Sequence, residues 1–174
     1  MIKLKLAPFI IDDFERLINW SIDEKILIQF AGPIFTFPLT NVQLQDYIEQ
    51  PLLKPLKVID PQTDKVIGHC EMNFSNPNIP RISRVLIGEE SDRGKGYGRA
   101  LIEAIALRLF EDEKVKQIDL NVFKWNAAAI SCYQKMGFVI GRVAPKVLTV
   151  EGELWEGYNM VLDRSVFAHK LNKE

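Results

Sequence analysis

The sequence predicts an α/β fold built on one mixed β-sheet, and three observations predict it. Stretches of period-two alternation and stretches of helical spacing interleave along the 174 residues. Helices alternate with strands in the second half, while hairpin signals fall elsewhere, so the sheet must mix parallel and antiparallel neighbours. A glycine run, Arg93-Gly94-Lys95-Gly96-Tyr97-Gly98, joins a β-branched strand to an amphipathic helix. Composition agrees: 47% apolar and 26% charged residues are ordinary for one globular domain, read here as 1–174 with the structure of the tail, from about 164, left open.

Taken in order, Ile2, Leu4 and Leu6 alternate with Lys3 and Lys5 as a half-buried strand that Pro8 ends. Asp12 and Asp13 place acids at the start of a helix to about Ser21, with Phe14, Leu17, Ile18 and Trp20 on its apolar side. Asp23 opens a second short helix through Ile26, Leu27 and Phe30, stopped by Gly32 and Pro33. Thr40-Asn41-Val42-Gln43 is a capping box, so a third helix runs to about Gln50. Leu56–Asp60, the turn residues 61–64 and Lys65–Phe74 form a hairpin. Its second strand places Val66, Gly68, Cys70, Met72 and Phe74 on one face and Ile67, His69, Glu71 and Asn73 on the other.

Arg81–Gly88 is the strand before the glycine run. The helix 96–111 follows it, with Gly98, Leu101, Ile102, Ile105 and Leu109 at helical spacing. Val115–Val122 alternates as a strand. Asn126 caps a helix over Ala127–Met136, and Gly137 stops it. Phe138–Thr149 reads as one long strand bent at Pro145, and Glu153–Leu162 as its return across the turn Glu151-Gly152. The order is β-α-α(-α)-β-β-β-α-β-α-β-β.

Charge and length exclude several classes. The 22 basic and 23 acidic side chains give a net charge of −1, where a nucleic-acid binder would show a basic excess. No run of 18 apolar residues is present, and the start, MIKLKLAPF, lacks a signal-peptide layout, so a cytoplasmic protein is expected. Cys70 and Cys132, and His69 and His169, are not spaced as ligands, so no metal is expected. Cys132 reads as a packed small residue: an acyl-accepting cysteine needs a base beside it, and neither histidine is placed for that.

The glycine run carries the chemistry. Glycine reaches positive φ and lets backbone approach a ligand. A helix that starts inside the run has first amides without intrahelical acceptors, and with the helix dipole they suit phosphate oxygens. Arg93, Lys95 and Arg99 add positive charge, so residues 93–98 are a candidate pyrophosphate cradle. A P-loop is excluded, because five residues separate Gly88 from Gly94-Lys95 and Gly96 stands where the hydroxyl residue belongs. The dinucleotide fingerprint also fails, with Arg99 or Leu101 at its third glycine.

What the run does resemble, as Arg93-x-x-Gly96-x-Gly98 between strand and helix, is the acetyl-coenzyme A signature of GNAT-type N-acetyltransferases. A second stretch, running from Leu120 and Val122 through Asn126, Ala129 and Tyr133 to Gly137-Phe138, is similar to the strand–Asn–helix–Tyr–Gly–Phe segment of the same family. The ending from Glu151 to Met160, with Trp20 and Phe30 early in the chain, resembles the branch of ribosomal-protein N-terminal and spermidine acetyltransferases. The resemblance implies a GNAT-like mixed sheet and transfer of acetyl from acetyl-coenzyme A, as co-substrate, to a primary amine on a small molecule or a protein N-terminus. It is compatible with a homodimer through the last strands. A non-catalytic acetyl-coenzyme A sensor on the same fold is the alternative.

The implied chemistry sets roles. Free amines with pKa ~8–10 are mostly charged at neutral pH and attack only when neutral, so a proton must leave. The developing oxyanion needs a preorganised donor, which the resemblance puts on the strand at Leu86, Ile87 and Gly88. A phenol of pKa ~10 is protonated at neutral pH and can serve the leaving thiolate, so Tyr133 is the expected acid. Asn126 is expected to cap its helix and to touch the coenzyme arm, and Gly94, Gly96, Gly98 and the Tyr97 amide to hold phosphate. For the base, Ser83 and Arg84 stand where many relatives carry a glutamate. Glu71 is the first candidate and Glu156 the second. Trp20, Phe30, Phe35, Phe37 and Trp155 read as core.

Overall fold

Local signals set the first half of the molecule. In the computed structural model, which describes residues 2–143 and 145–172, the Asp23 carboxylate accepts from the Ile26 amide and the Thr40 hydroxyl from the Gln43 amide. These caps start helices α2 (Glu24–Ala31) and α3 (Asn41–Ile48), after α1 (Phe14–Trp20). Gln43 does not complete the capping box: its amide group turns to the carbonyls of Thr36 and Pro38.

The strands are β1 (Lys5–Pro8), β2 (Leu53–Asp60), β3 (Lys65–Asn73), β4 (Arg81–Ile87), β5 (Gln117–Phe123), β6 (Val139–Ile140), β7 (Leu148–Val150), β8 (Glu153–Trp155) and β9 (Gly157–Asp163). Helix α4 (Tyr97–Leu109) joins β4 to β5, α5 (Ala127–Met136) joins β5 to β6, and α6 (Arg164–Leu171) follows β9. Seven strands form one mixed sheet in the order β1-β2-β3-β4-β5-β9-β6, with β4 and β5 parallel, while β7 and β8 pair as a separate hairpin.

One face of the sheet packs Ile82, Leu120 and Met160 against Leu101, Ile105, Met136 and Phe167 of α4, α5 and α6. Over β1–β4 the other face is covered by α1, α2 and α3 through Phe14, Leu17, Leu27 and Leu44. Asp13 ties this layer to the sheet. Burial pushes its carboxyl up, but Lys57, the Ile10 amide and Arg16 together hold it below the usual carboxylate value.

Several expectations are corrected. The first strand lies at Lys5–Pro8, and Pro8 is its last paired residue, opposite Leu56. The long strand over 138–149 is not formed. β6 ends at Ile140, with Gly141 still donating to the Asn159 carbonyl at 2.8 Å, and the Pro145 ring packs where a Cβ on Gly157 would lie, 3.2 Å away. The returning strand likewise splits at Glu156 into β8 and β9. In β3 the two-face parity breaks at a bulge: Gly68 faces Val58 and Val66 faces Ile59, so Ile67 is the extra residue and turns into the same core as Cys70 and Met72. The tail is the helix α6, held by Phe167 against Phe110 and by Arg164 donating to the Val115 and Asp112 carbonyls.

Candidate active site

The site forms where the sheet's hydrogen bonding stops. β4 and β5 pair only through Arg81 with Asp119 and Ile82 with Leu120. Beyond these the strands diverge, because β4 carries a bulge of its own. Its register against β3 shifts between His69–Leu86 and Glu71–Ser83, so Arg84 and Val85 both face Cys70. Arg84 takes φ +51° to make the bend, a conformation uncommon for a residue with a Cβ. Between the diverging strands lies a cavity of about 440 Å³. Ser83, Arg84 and Val85 line one wall and Asn121, Val122 and Phe123 the other.

The bulge also decides which amides face the opening. The Gly88 amide donates to the Ile67 carbonyl at 3.0 Å. With antiparallel alternation, Leu86 then also bonds toward β3, while the N–H groups of Ile87 and Val85 point away from it, and Val85 lines the slot. Of the three expected strand residues, Leu86 and Gly88 turn their amides to β3 and Ile87 turns its amide away, as Val85 does. Gly88 is a packing glycine: a Cβ there would lie 2.0 Å from the Trp20 ring.

The glycine loop opens α4 as the sequence suggests. Gly94 and Gly96 have φ of +75° and +90°, and no side chain among the described residues caps the helix, so its first amides are left to an outside acceptor. A Cβ on Gly94 or Gly98 would meet nothing within 4 Å, so the loop presents bare backbone to open space, a shape that fits a diphosphate. The surrounding charges are less free than their sequence suggests. Arg93 turns inward to the carbonyls of Ile87 and Gly88, bracing the loop. Lys95 leans on Asp92, which Lys65 also holds. The Tyr97 hydroxyl donates to Asp60 at 3.0 Å and pins the helix start to the end of β2. Arg99 follows on the helix.

Tyr133 projects from α5 into the slot. Its residue is 9% exposed, its ring packs near Phe138, and it lines the cavity. Burial pushes its phenol well up, so it stays protonated, and no hydrogen bond claims it among the described residues. Asn126 lines the same cavity while its side chain accepts from the Ala129 amide, capping α5.

Residues 15–138, from within α1 through α5, match the model of the acetyltransferase (GNAT) family. The chain belongs to the GNAT acetyltransferase family. It is an N-acetyltransferase, and acetyl-coenzyme A is its co-substrate. A prophage-derived N-acetyltransferase of Bacillus subtilis is 22% identical over 149 residues, which cover 84% of this chain and 83% of that one. An aminoglycoside N(6')-acetyltransferase of Klebsiella pneumoniae is 36% identical over 64 residues, 37% of this chain but only 31% of that enzyme's length. Spermidine N-acetyltransferase from Vibrio cholerae, solved with coenzyme A and spermine, superposes with a TM-score of 0.78 at 21% identity, covering 95% of this chain and 98% of its own. No helix among the described residues of this acetyltransferase is long and apolar enough to cross a membrane.

The expected base is placed differently from the sequence reading. Glu71, the first candidate base, is 0% exposed and ion-paired with Arg84. The Arg84 guanidinium lies over the Tyr47 ring, 5.2 Å from its centroid, and the Tyr47 hydroxyl lies 3.2 Å from His69 Nε2. Burial raises the Glu71 carboxyl above its ordinary value against the pull of Arg84, and burial with Arg84 holds His69 neutral, its pKa lowered to about 3. The cavity reaches Arg84 and not Glu71, so Glu71 has no direct path to a bound amine. Glu156 is exposed, pairs with Lys124 and lines no part of the slot. Trp20, Phe30, Phe35 and Trp155 are core, but Phe37 is 44% exposed.

Sequence reasoning missed Val85 and the side chains at the far end of the slot, Arg81 and Lys146. Arg84 stood out in the sequence only as a departure from the family pattern. No residue type announces its left-handed backbone.

Proposed function

We propose that this acetyltransferase moves the acetyl group in a ternary complex, with a primary amine in the β4–β5 slot attacking the thioester directly. The observation that carries the reading is the seam itself: strand pairing ends after two residue pairs, and the opening holds an unclaimed, buried phenol on one side and outward-facing strand amides on the other.

The residues divide the work. The bare backbone of 94–98 holds the diphosphate, with Arg93, Lys95 and Tyr97 keeping the loop in shape. The freed edge of β4 pairs with the pantetheine arm as a further strand segment would, and the amides of Val85 and Ile87 face the oxygen that gains charge. Tyr133 donates to the sulfur as the C–S bond breaks. Its raised pKa keeps the phenol neutral, and water can reprotonate it from the slot. Glu71 acts from beneath by holding Arg84, and so the bulge, in place.

The test is Tyr133→Phe. The hydroxyl makes no hydrogen bond within the described protein, so its loss leaves the fold unchanged. Thiol release should fall about 10²-fold or more in kcat, the usual weight of a general acid. Acetyl-coenzyme A binding, measured by calorimetry, should stay within about twofold. Unaltered turnover removes Tyr133 from the mechanism. Coenzyme binding with no turnover of any amine by the wild-type protein defeats the transfer reading.

A further inference from the structure

The charge on the acceptor side of the slot points to a particular kind of amine. Ile82 and Leu120 turn into the core beneath α4 and α5, so their neighbours Arg81 and Asp119 turn to the opposite face of the sheet, away from the glycine loop. Arg81 also lies at the start of β4, six residues or about 20 Å of strand from Ile87, where the loop begins. Its cation is therefore remote from the diphosphate cradle.

On that face the slot opens into a second cavity of about 990 Å³, and Arg81 and Lys146 line both. Arg84 adds to the slot and Arg142 to the second cavity. Against these four cations the described lining holds one carboxylate, Asp119, on a chain whose net charge is −1. Asp119 is already engaged, taking Nε and Nη2 of Arg81 at 2.8 and 2.7 Å and the Asn159 amide at 2.8 Å. That pairing leaves the Nη1 edge of Arg81 open, on a side chain 41% exposed. Lys146 and Arg142 have no ion-pair partner among the described residues. Arg84 is matched by Glu71 from behind.

A polyamine or aminoglycoside carries several ammonium groups, and this lining would repel them. An amine that brings its own negative charge would be drawn in, and the same cations would disfavour its ammonium form, easing loss of the proton that must leave before attack. The proton lost before attack and the one the nitrogen sheds after it both pass to water in the open slot, and water returns one to Tyr133.

We propose that the acceptor is a primary amine that also carries a carboxylate, an amino-acid-type amine whose acid group is held by Arg81 and Lys146 where the two cavities meet. The proposal rests on the slot being the place of acetyl transfer. It makes Lys146 and Arg81 specificity-determining residues.

The experiment is thiol release from acetyl-coenzyme A with matched acceptors: glycine, β-alanine, phenylalanine and glutamate, each beside its amide, with spermidine and kanamycin as polycations. The best acid should exceed its amide, and both polycations, at least tenfold in kcat/KM. Lys146→Glu, on an exposed side chain, should cut that acid-to-amide ratio at least tenfold with acetyl-coenzyme A affinity unchanged by calorimetry. Arg81→Lys, which keeps a cation beside Asp119 but loses the open edge, should lower the ratio by a smaller factor. A ratio near or below one, preference for a polycation, or a ratio that both variants leave unmoved overturns the proposal while the transfer reading stands. Release with none of the acceptors, by protein that binds the coenzyme, brings down both.

Discussion

The two halves of the sheet are built to different rules. β1 to β4 form an antiparallel meander with helices on both faces, and even its charged groups, Asp13 and Glu71, are enclosed and paired. β5, β9 and β6 are packed by helices on one face. Their other face is polar, with Asp119, Asn121 and Asn159 bonded to one another. The halves meet through two residue pairs. The first half therefore seals its charge beneath helices, whereas the second half keeps Asp119 and Asn159 buried in a polar network on a face that no helix covers. The chemistry sits at the join, where neither half completes the ladder.

Three changes test that division, in order of size. Gly98→Glu strikes the ligand side of the join. Gly98 has no positive φ and a Cβ there meets open space, so the protein should fold normally while acetyl-coenzyme A affinity drops about 10²-fold or more. Titration showing unchanged affinity would place the diphosphate elsewhere. Glu71→Ala strikes the enclosed half. Arg84 would keep its charge in a buried site without a partner, at a cost of about 3–5 kcal/mol, read as a lower midpoint in denaturant. A loss below 1 kcal/mol would mean that the pair is wetter than its burial indicates.

The third change is a matter of pH. His69 titrates near its ordinary value when unfolded but is held to about 3 when folded, so the unfolded chain binds the extra proton between those values. The stability this neutral ring permits is complete above about pH 6.5 and is lost as pH falls toward 3, with a slope of at most about 1.4 kcal/mol per unit. His69→Gln should flatten that part of the stability curve. A curve identical to wild type would show that the ring is not held neutral.

Much of the second half was legible from the chain because its elements carry local markers: Asn126 and Gly137 bound α5, and Gly96 starts α4, where the structure has them. The loop glycines were legible for the same reason, whereas Tyr133 sits at core spacing on its helix and was singled out only through the family resemblance. What stayed hidden depends on neighbours. A stretch such as 138–149 alternates well enough for a strand, yet among its described residues only Val139 and Ile140 pair as a strand in the main sheet. Glu71 looks solvent-facing by parity until α3 lays Tyr47 over it. The two bulges, which turn Ile67 inward and free the Val85 amide, follow from pairing register and leave no mark in residue type.

Position 84 shows what such a register demands. Its backbone angle favours glycine, by about 1 kcal/mol in ordinary left-handed sites, while the carboxylate beneath it requires a long cation. None of the twenty amino acids satisfies both. Relaxing the main chain there would strand an anion inside the protein, so the bend stays slightly sprung as long as Glu71 is kept.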